Sequence, residues 1–179
     1  MPRYISMLRG INVSGQKQIK MDTLRVMYES MDCENVITYI QSGNVVFDNY
    51  ELDMKKLEVL ISNTIQATFS YTIAVTVCTA KDLALIMESN PYLNKKIFDP
   101  SRAYITFLSS IPTQALINVI IDFEDSCCEL VVEEKCVYLY CDGGYGRTKL
   151  SNNFFEKKLE VSATTRSWKT LKKLVELAK

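Results

Sequence analysis

The sequence predicts an α+β protein made of two tandem ferredoxin-like β-α-β-β-α-β units, each followed by an extra helix, packed into one compact body. Three observations predict it. Alternating and helical apolar spacing succeed one another as β-α-β-β-α-β-α over residues 3–89, and the same order returns over residues 103–178. Each run carries a hairpin signal between its second and third strands. A polar stretch with two prolines, NPYLNKKIFDPSR, separates the runs. Residues 1–90 are expected to form a first subdomain, 91–102 a linker and 103–179 a second subdomain.

The elements follow in order. Residues 3–8 form an apolar strand. Residues 21–31 put Leu24, Met27, Tyr28 and Met31 on one helical face. Residues 36–40 and 45–47 are β-branched and aromatic, with the turn Gln41-Ser42-Gly43-Asn44 between them. Residues 53–69 repeat the helical spacing through Leu57, Leu60, Ile61 and Ile65, and residues 73–78 are a strand. Thr79 and Asp82 suit the start of a short helix over 79–89. In the second run, residues 103–108 are a strand and 112–123 a helix. Strands over 129–132 and 137–141 surround a tight Glu-Glu-Lys turn. Residues 152–159 are a helix, 161–164 a short strand, and 167–178 a helix carrying Trp168, Leu171, Leu174 and Val175. The repeat is one of element order, with no residue-by-residue identity.

Composition narrows the function. The chain of 179 residues has 21 basic and 21 acidic side chains, so no strong net charge draws it to nucleic acid, although a local basic patch is compatible with that balance. No stretch is long and apolar enough to cross a membrane, and the N-terminus lacks a signal-peptide pattern, so a cytoplasmic location is expected. The six cysteines include no C-x-x-C pair and are expected as free thiols packed as small hydrophobes. No metal site and no cofactor are expected. Histidine is absent, which removes Ser-His and Cys-His nucleophile pairs and leaves a carboxylate, Lys, Tyr or Cys as the only general base.

Strand direction locates the polar segments. In such a unit the first two strands run the same way and the third returns. The segment LRGINVSGQKQIK, after the first strand, then shares a sheet edge with the QSGN turn. In the second unit the third and fourth strands run the same way, so DGGYGRTK shares an edge with TTRSW. Glycines allow close backbone approach and anion-binding nests, arginines offer forked donors to phosphate or carboxylate, and aromatic rings can stack on a base. The candidate ligand-binding residues are Arg9, Gly10, Asn12, Lys17, Gln41, Ser42 and Asn44 in the first unit. In the second they are Arg147, Lys149, Thr165, Arg166 and Trp168. Each has a plainer reading: glycines serving turns, Thr164 or Thr165 capping the last helix, Trp168 in the core, arginines in structural ion pairs.

Three blocks, MLRGINVSGQKQIKM, TYIQSGNVVF and GRTKLSNNFFEKKLEVSATTRSWKTLKKL, resemble the bacterial family known as domain of unknown function 1697. The resemblance implies no established activity. It points to the same loops, adding Gly15, Gly43, Gly146, Thr164 and Thr170. This chain departs from it at Ser14, where the family pairs two glycines, and near Cys141, where the family has a proline.

Three functions are compatible with the pattern. One is a non-catalytic module binding an anionic ligand, nucleotide-like or nucleic acid. Another is an enzyme on a phosphorylated or acyl substrate, with arginines stabilising charge. The third is a structural or interaction protein whose polar loops lock the halves together.

Overall fold

In the computed structural model, which describes residues 1–179, β1 (Arg3–Leu8) is followed by α1 (Met21–Glu29), β2 (Glu34–Tyr39), β3 (Asn44–Asp48), α2 (Met54–Phe69), β4 (Val75–Thr79) and α3 (Ala80–Glu88). The four strands form one sheet in the order β2-β3-β1-β4, with every neighbouring pair antiparallel. β1 and β2 consequently run the same way. Alternation decides the core. Tyr4, Leu8, Val45 and Phe47 pack with Leu24 and Tyr28 of α1 and with Leu57, Ile61 and Ile65 of α2. Ile5, Met7 and Val46 point to the opposite face and are equally buried. Local chemistry sets the helix starts. Asp53 accepts the backbone N–H groups of Lys55 and Lys56 at the head of α2. Thr79 and Asp82 exchange bonds at the head of α3, the reciprocal arrangement of a capping box.

The second sheet contains β5 (Ala103–Leu108), β6 (Cys128–Glu133), β7 (Cys136–Cys141) and β8 (Ala163–Ser167). The helices accompanying it are α4 (Gln114–Ile121), α5 (Asn152–Leu159) and α6 (Trp168–Leu177). Its order is β6-β7-β5-β8, again antiparallel throughout. Leu108, Val137, Leu139 and Ala163 pack with Ile120 of α4 and Phe155 and Leu159 of α5. Residues 91–102 contain two 3-10 turns, Pro91–Asn94 and Pro100–Arg102, each headed by a side-chain cap from Asn90 or Asp99. By contacts the chain groups into residues 1–84 with 173–179, and residues 85–172. No helix is long and apolar enough to cross a membrane.

The two sheets share more than element order. β1 and β5 match at Tyr4 and Tyr104, Ile5 and Ile105, and Leu8 and Leu108, with a hydroxyl at both Ser6 and Thr106. Their backbone bonds match as well. Leu8 N–H donates to the Gly43 carbonyl and Leu108 N–H to that of Lys135, both at 2.8 Å. Arg9 N–H donates to Ala74 and Ser109 N–H to Ser162, at 2.9 and 3.0 Å.

Three local expectations are corrected. The last strand lies at Ala163–Ser167, not 161–164, because Thr164 and Thr165 pair with Phe107 and Thr106 of β5. Those threonines are strand residues and not caps; the cap is Ser167, whose Oγ accepts the Thr170 N–H at 3.3 Å. The β6–β7 turn holds two residues, Glu134 and Lys135, between the paired Glu133 and Cys136. That register sets Cys128 directly opposite Cys141, and a disulfide joins them, so these two are not free thiols. Cys33, Cys78, Cys127 and Cys136 take no part in this bridge.

Candidate functional site

The long segment after β1 folds back on itself. Ser14 and Gly15 both have positive φ and close a tight turn in which Gln16 N–H donates to the Val13 carbonyl at 2.9 Å. One side chain holds the rest. Asn12 donates through Nδ2 to the carbonyls of Ile19 and Gln41, at 2.9 and 2.8 Å, and its Oδ1 accepts the Ile19 N–H at 2.9 Å. The bond to Gln41 ties this segment to the QSGN turn, the juxtaposition that strand direction requires. Lys17 reaches the Thr72 carbonyl at 3.1 Å. Within the turn, Asn44 donates to the Tyr39 carbonyl and to Ser42 Oγ, both at 3.0 Å. Gly43 has φ +74°, and a Cβ there would lie 2.6 Å from Ile11 Cδ1 and 2.9 Å from Leu8 Cβ, so no other residue fits. Gly10 has φ +64° and open space beside it.

Between these segments lies a groove of about 660 Å³ lined by Asn12, Gly15, Gln18, Ile19, Lys20, Met21, Asp22 and Gln41. α1 opens onto it. Lys20 occupies the position before that helix and supplies no side-chain cap, so the first-turn N–H groups have no side-chain acceptor from their own cap residue.

In the second unit the segment after β7 meets β8, again as strand direction requires. Tyr145 Oη donates to Thr165 Oγ1 at 3.2 Å, Thr165 donates to Asn152 Oδ1 at 2.6 Å, and Thr106 lies 2.7 Å away. Those partners use the full capacity of the Thr165 hydroxyl. Arg166, one residue on, points to the other face of the strand, is 7% exposed, and donates to the Thr165 carbonyl at 2.9 Å. Trp168 packs edge-on against Phe98 with ring centres 5.2 Å apart. Arg147 and Lys149 are brought together instead in a second groove of about 670 Å³, beside Glu124, Asp125, Cys127, Cys128 and Glu129.

Asp125 organises that groove, and sequence reasoning missed it. Its carboxylate accepts from the Cys127 N–H and the Lys149 N–H, each at 2.8 Å, and from the Thr148 hydroxyl at 2.7 Å. Burial pushes its carboxyl up, but the Thr148, Cys127 and Lys149 bonds and the Lys149 charge together hold it below the ordinary value. The Asp-Ser-Cys sequence of an Asx turn was its only local signal. The root of the same segment is fixed by Arg102, whose Nη1 lies 2.8 Å from Asp142 Oδ1, and by Asp142 N–H donating to the Cys127 carbonyl at 2.7 Å. Of the expected residues, Asn12 and Gln41 meet at one groove and Arg147 and Lys149 at the other. Asn44, Thr165, Arg166 and Trp168 are engaged within the fold.

No curated protein matches the chain. A solved structure of a conserved bacterial protein from Streptococcus pneumoniae is similar over 99% of this chain and 98% of its own, with a TM-score of 0.70 and 23% identity, which speaks to the fold alone. The family described as "Protein of unknown function (DUF1697)" matches residues 1–138, taking in the first two of the three sequence blocks and stopping short of the third. With that much of its length matched, the chain belongs to the DUF1697 family.

Proposed function

We propose that the protein is a non-catalytic binding module for an anionic, nucleotide-like or nucleic-acid ligand, with a cytoplasmic location and two ferredoxin-like units descended from one. The groove at the start of α1 carries this reading. Its lining supplies side-chain amides from Gln18 and Gln41, a glycine, the Lys20 ammonium and the positive end of a helix. Asp22 adds a carboxylate that can accept from a donor group such as a base amine. Amides and a lysine bind and orient; the lining holds no Ser, Thr, Cys or Tyr to act as nucleophile, which favours binding over acyl or phosphoryl chemistry. The equal strand order of the sheets supports the duplicated ferredoxin-like reading.

Thermal shift tests it. ATP, inorganic phosphate and a short oligonucleotide are each added to the wild type, to Lys20→Ala and to Gln41→Ala. At least one ligand raises the wild-type Tm, and both substitutions shrink that rise. No rise in the wild type, or an equal rise in the variants, overturns the proposal. The structural or interaction reading would then replace it, with Asn12, Asn44 and Arg166 each bonding backbone within its own unit.

A further inference from the structure

The second groove places a disulfide at its wall. Cys128 lines it at 7% exposed, whereas Cys141, the other half of the bridge, is fully buried, so Cys128 is the half of the bridge that the groove meets. Cys127, a free and half-buried thiol, lines the same wall. The charges around them are partly committed. Asp125 accepts three donors and faces the Lys149 charge, and Glu129 is bridged to Lys95 at 2.9 Å. Arg147, Lys149 and Glu124 complete the charged lining. The Arg147 side chain lies over Gly143, where any added Cβ would come within 3.1 Å of its Nη1, so the glycine makes room for it.

With Glu129 paired to Lys95, the groove sets Arg147 and Lys149 beside Asp125 and Glu124, a lining of both signs that suits a small peptide thiol bearing carboxylates and an ammonium. We infer that the Cys128–Cys141 bridge is a thiol–disulfide exchange site that takes such a peptide thiol from the groove. The thiolate attacks Cys128 Sγ, forming a mixed disulfide there and expelling Cys141 as a thiolate, which takes a proton. A second thiolate attacks the peptide sulfur of that mixed disulfide and leaves Cys128 reduced. Two thiols become one small disulfide as the protein bridge takes up two electrons. Reduction cuts the link between β6 and β7 immediately before Asp142, at the root of the segment carrying Arg147 and Lys149.

The full chain is alkylated without reductant and mapped by mass spectrometry, then reduced with glutathione, 2-mercaptoethanol or cysteamine. The Cys128–Cys141 peptide pair is expected to be linked before reduction. After correction for thiolate fraction, glutathione reduces it faster than the other two, by on the order of tenfold. Arg147→Gln with Lys149→Gln removes most of that advantage. Full alkylation of both cysteines without reductant overturns the proposal, as does a glutathione rate that the double variant leaves unchanged. A second variant guards against misfolding. Cys141→Ser leaves Cys128 as a thiol, and glutathione disulfide is then expected to form a mixed disulfide at Cys128. Modification of Cys127 alone would overturn the assignment.

Discussion

The two units share a frame and differ in where they lengthen it. In the first, residues 9–20 separate β1 from α1, while residues 49–53 suffice between β3 and α2. In the second the proportions reverse: residues 109–113 separate β5 from α4, and residues 142–151 separate β7 from α5. Each long segment is held by one side chain satisfying several backbone groups. The first unit uses a neutral amide, Asn12, and the second a carboxylate, Asp125, backed by the Cys128–Cys141 bridge. A sheet edge can thus carry an irregular loop at low cost where one residue pairs its buried donors and acceptors. The choice of residue then decides whether the loop responds to pH and redox state.

The largest expected contrast lies in the short turns. Gly43 and Lys135 present equivalent carbonyls, to Leu8 and Leu108 respectively. Only Gly43 is crowded, by Leu8 Cβ and Ile11, at a left-handed φ. Gly43→Ala should cost about 3 kcal/mol, combining backbone strain with overpacking. Lys135→Ala should stay within about 0.5 kcal/mol of wild type, as exposed surface substitutions do. Urea unfolding measures both, and similar losses would show that the two turns are not counterparts.

Much of this frame was legible beforehand. Residues 103–108 and 152–159 form the expected strand and helix, because apolar periodicity is strong there and turn residues flank them. From sequence the cysteines read as free thiols, for want of a C-x-x-C pair and on the expected cytoplasmic location, and a one-residue difference in turn length hides the pairing. A three-residue Glu-Glu-Lys turn shifts the register by one and moves Cys128 away from Cys141; the two-residue turn aligns them. The candidate residues were named as a group but not sorted. Sequence shows that Asn12, Thr165 and Arg166 lie in polar segments, yet only the folded structure decides which of their atoms the rest of the chain claims. Asp125 escaped because its three donors come from residues distant from, or hidden within, an ordinary loop.

Next in size are the two staples. Asn12→Ala removes three hydrogen bonds and leaves the backbone of Ile19 unsatisfied, a loss of about 2 kcal/mol that should hold from neutral to acid pH. Asp125→Asn should cost about 1 kcal/mol at neutral pH, because Asp125 is partly solvated and its substitute keeps one acceptor. Here the pH dependence has a sign. The folded-state pKa of Asp125 lies below its ordinary value, so its stabilisation is complete above about pH 4 and fades as pH falls through the folded value. Wild type and Asp125→Asn should converge in stability toward acid, while the Asn12→Ala deficit persists. Parallel curves for the Asp125 pair would remove the carboxylate from its assigned role.

The smallest effect separates a side-chain bond from backbone strain. Lys17 has φ +46°, unfavourable for a long side chain, and its Nζ makes one exposed bond to the Thr72 carbonyl. Lys17→Met keeps the strain and loses the bond, for a loss of about 0.5 kcal/mol. Lys17→Gly loses the same bond but relieves the strain, so it should match or slightly exceed the wild type despite the flexibility glycine adds to the unfolded chain. Glu134, at φ +49° in the β6–β7 turn, offers the parallel test in the second unit. If glycine helps at 134 but hurts at 17, the Lys17 bond to Thr72 contributes more than its exposure implies. The long loop of the first unit would then depend on two staples rather than on Asn12 alone.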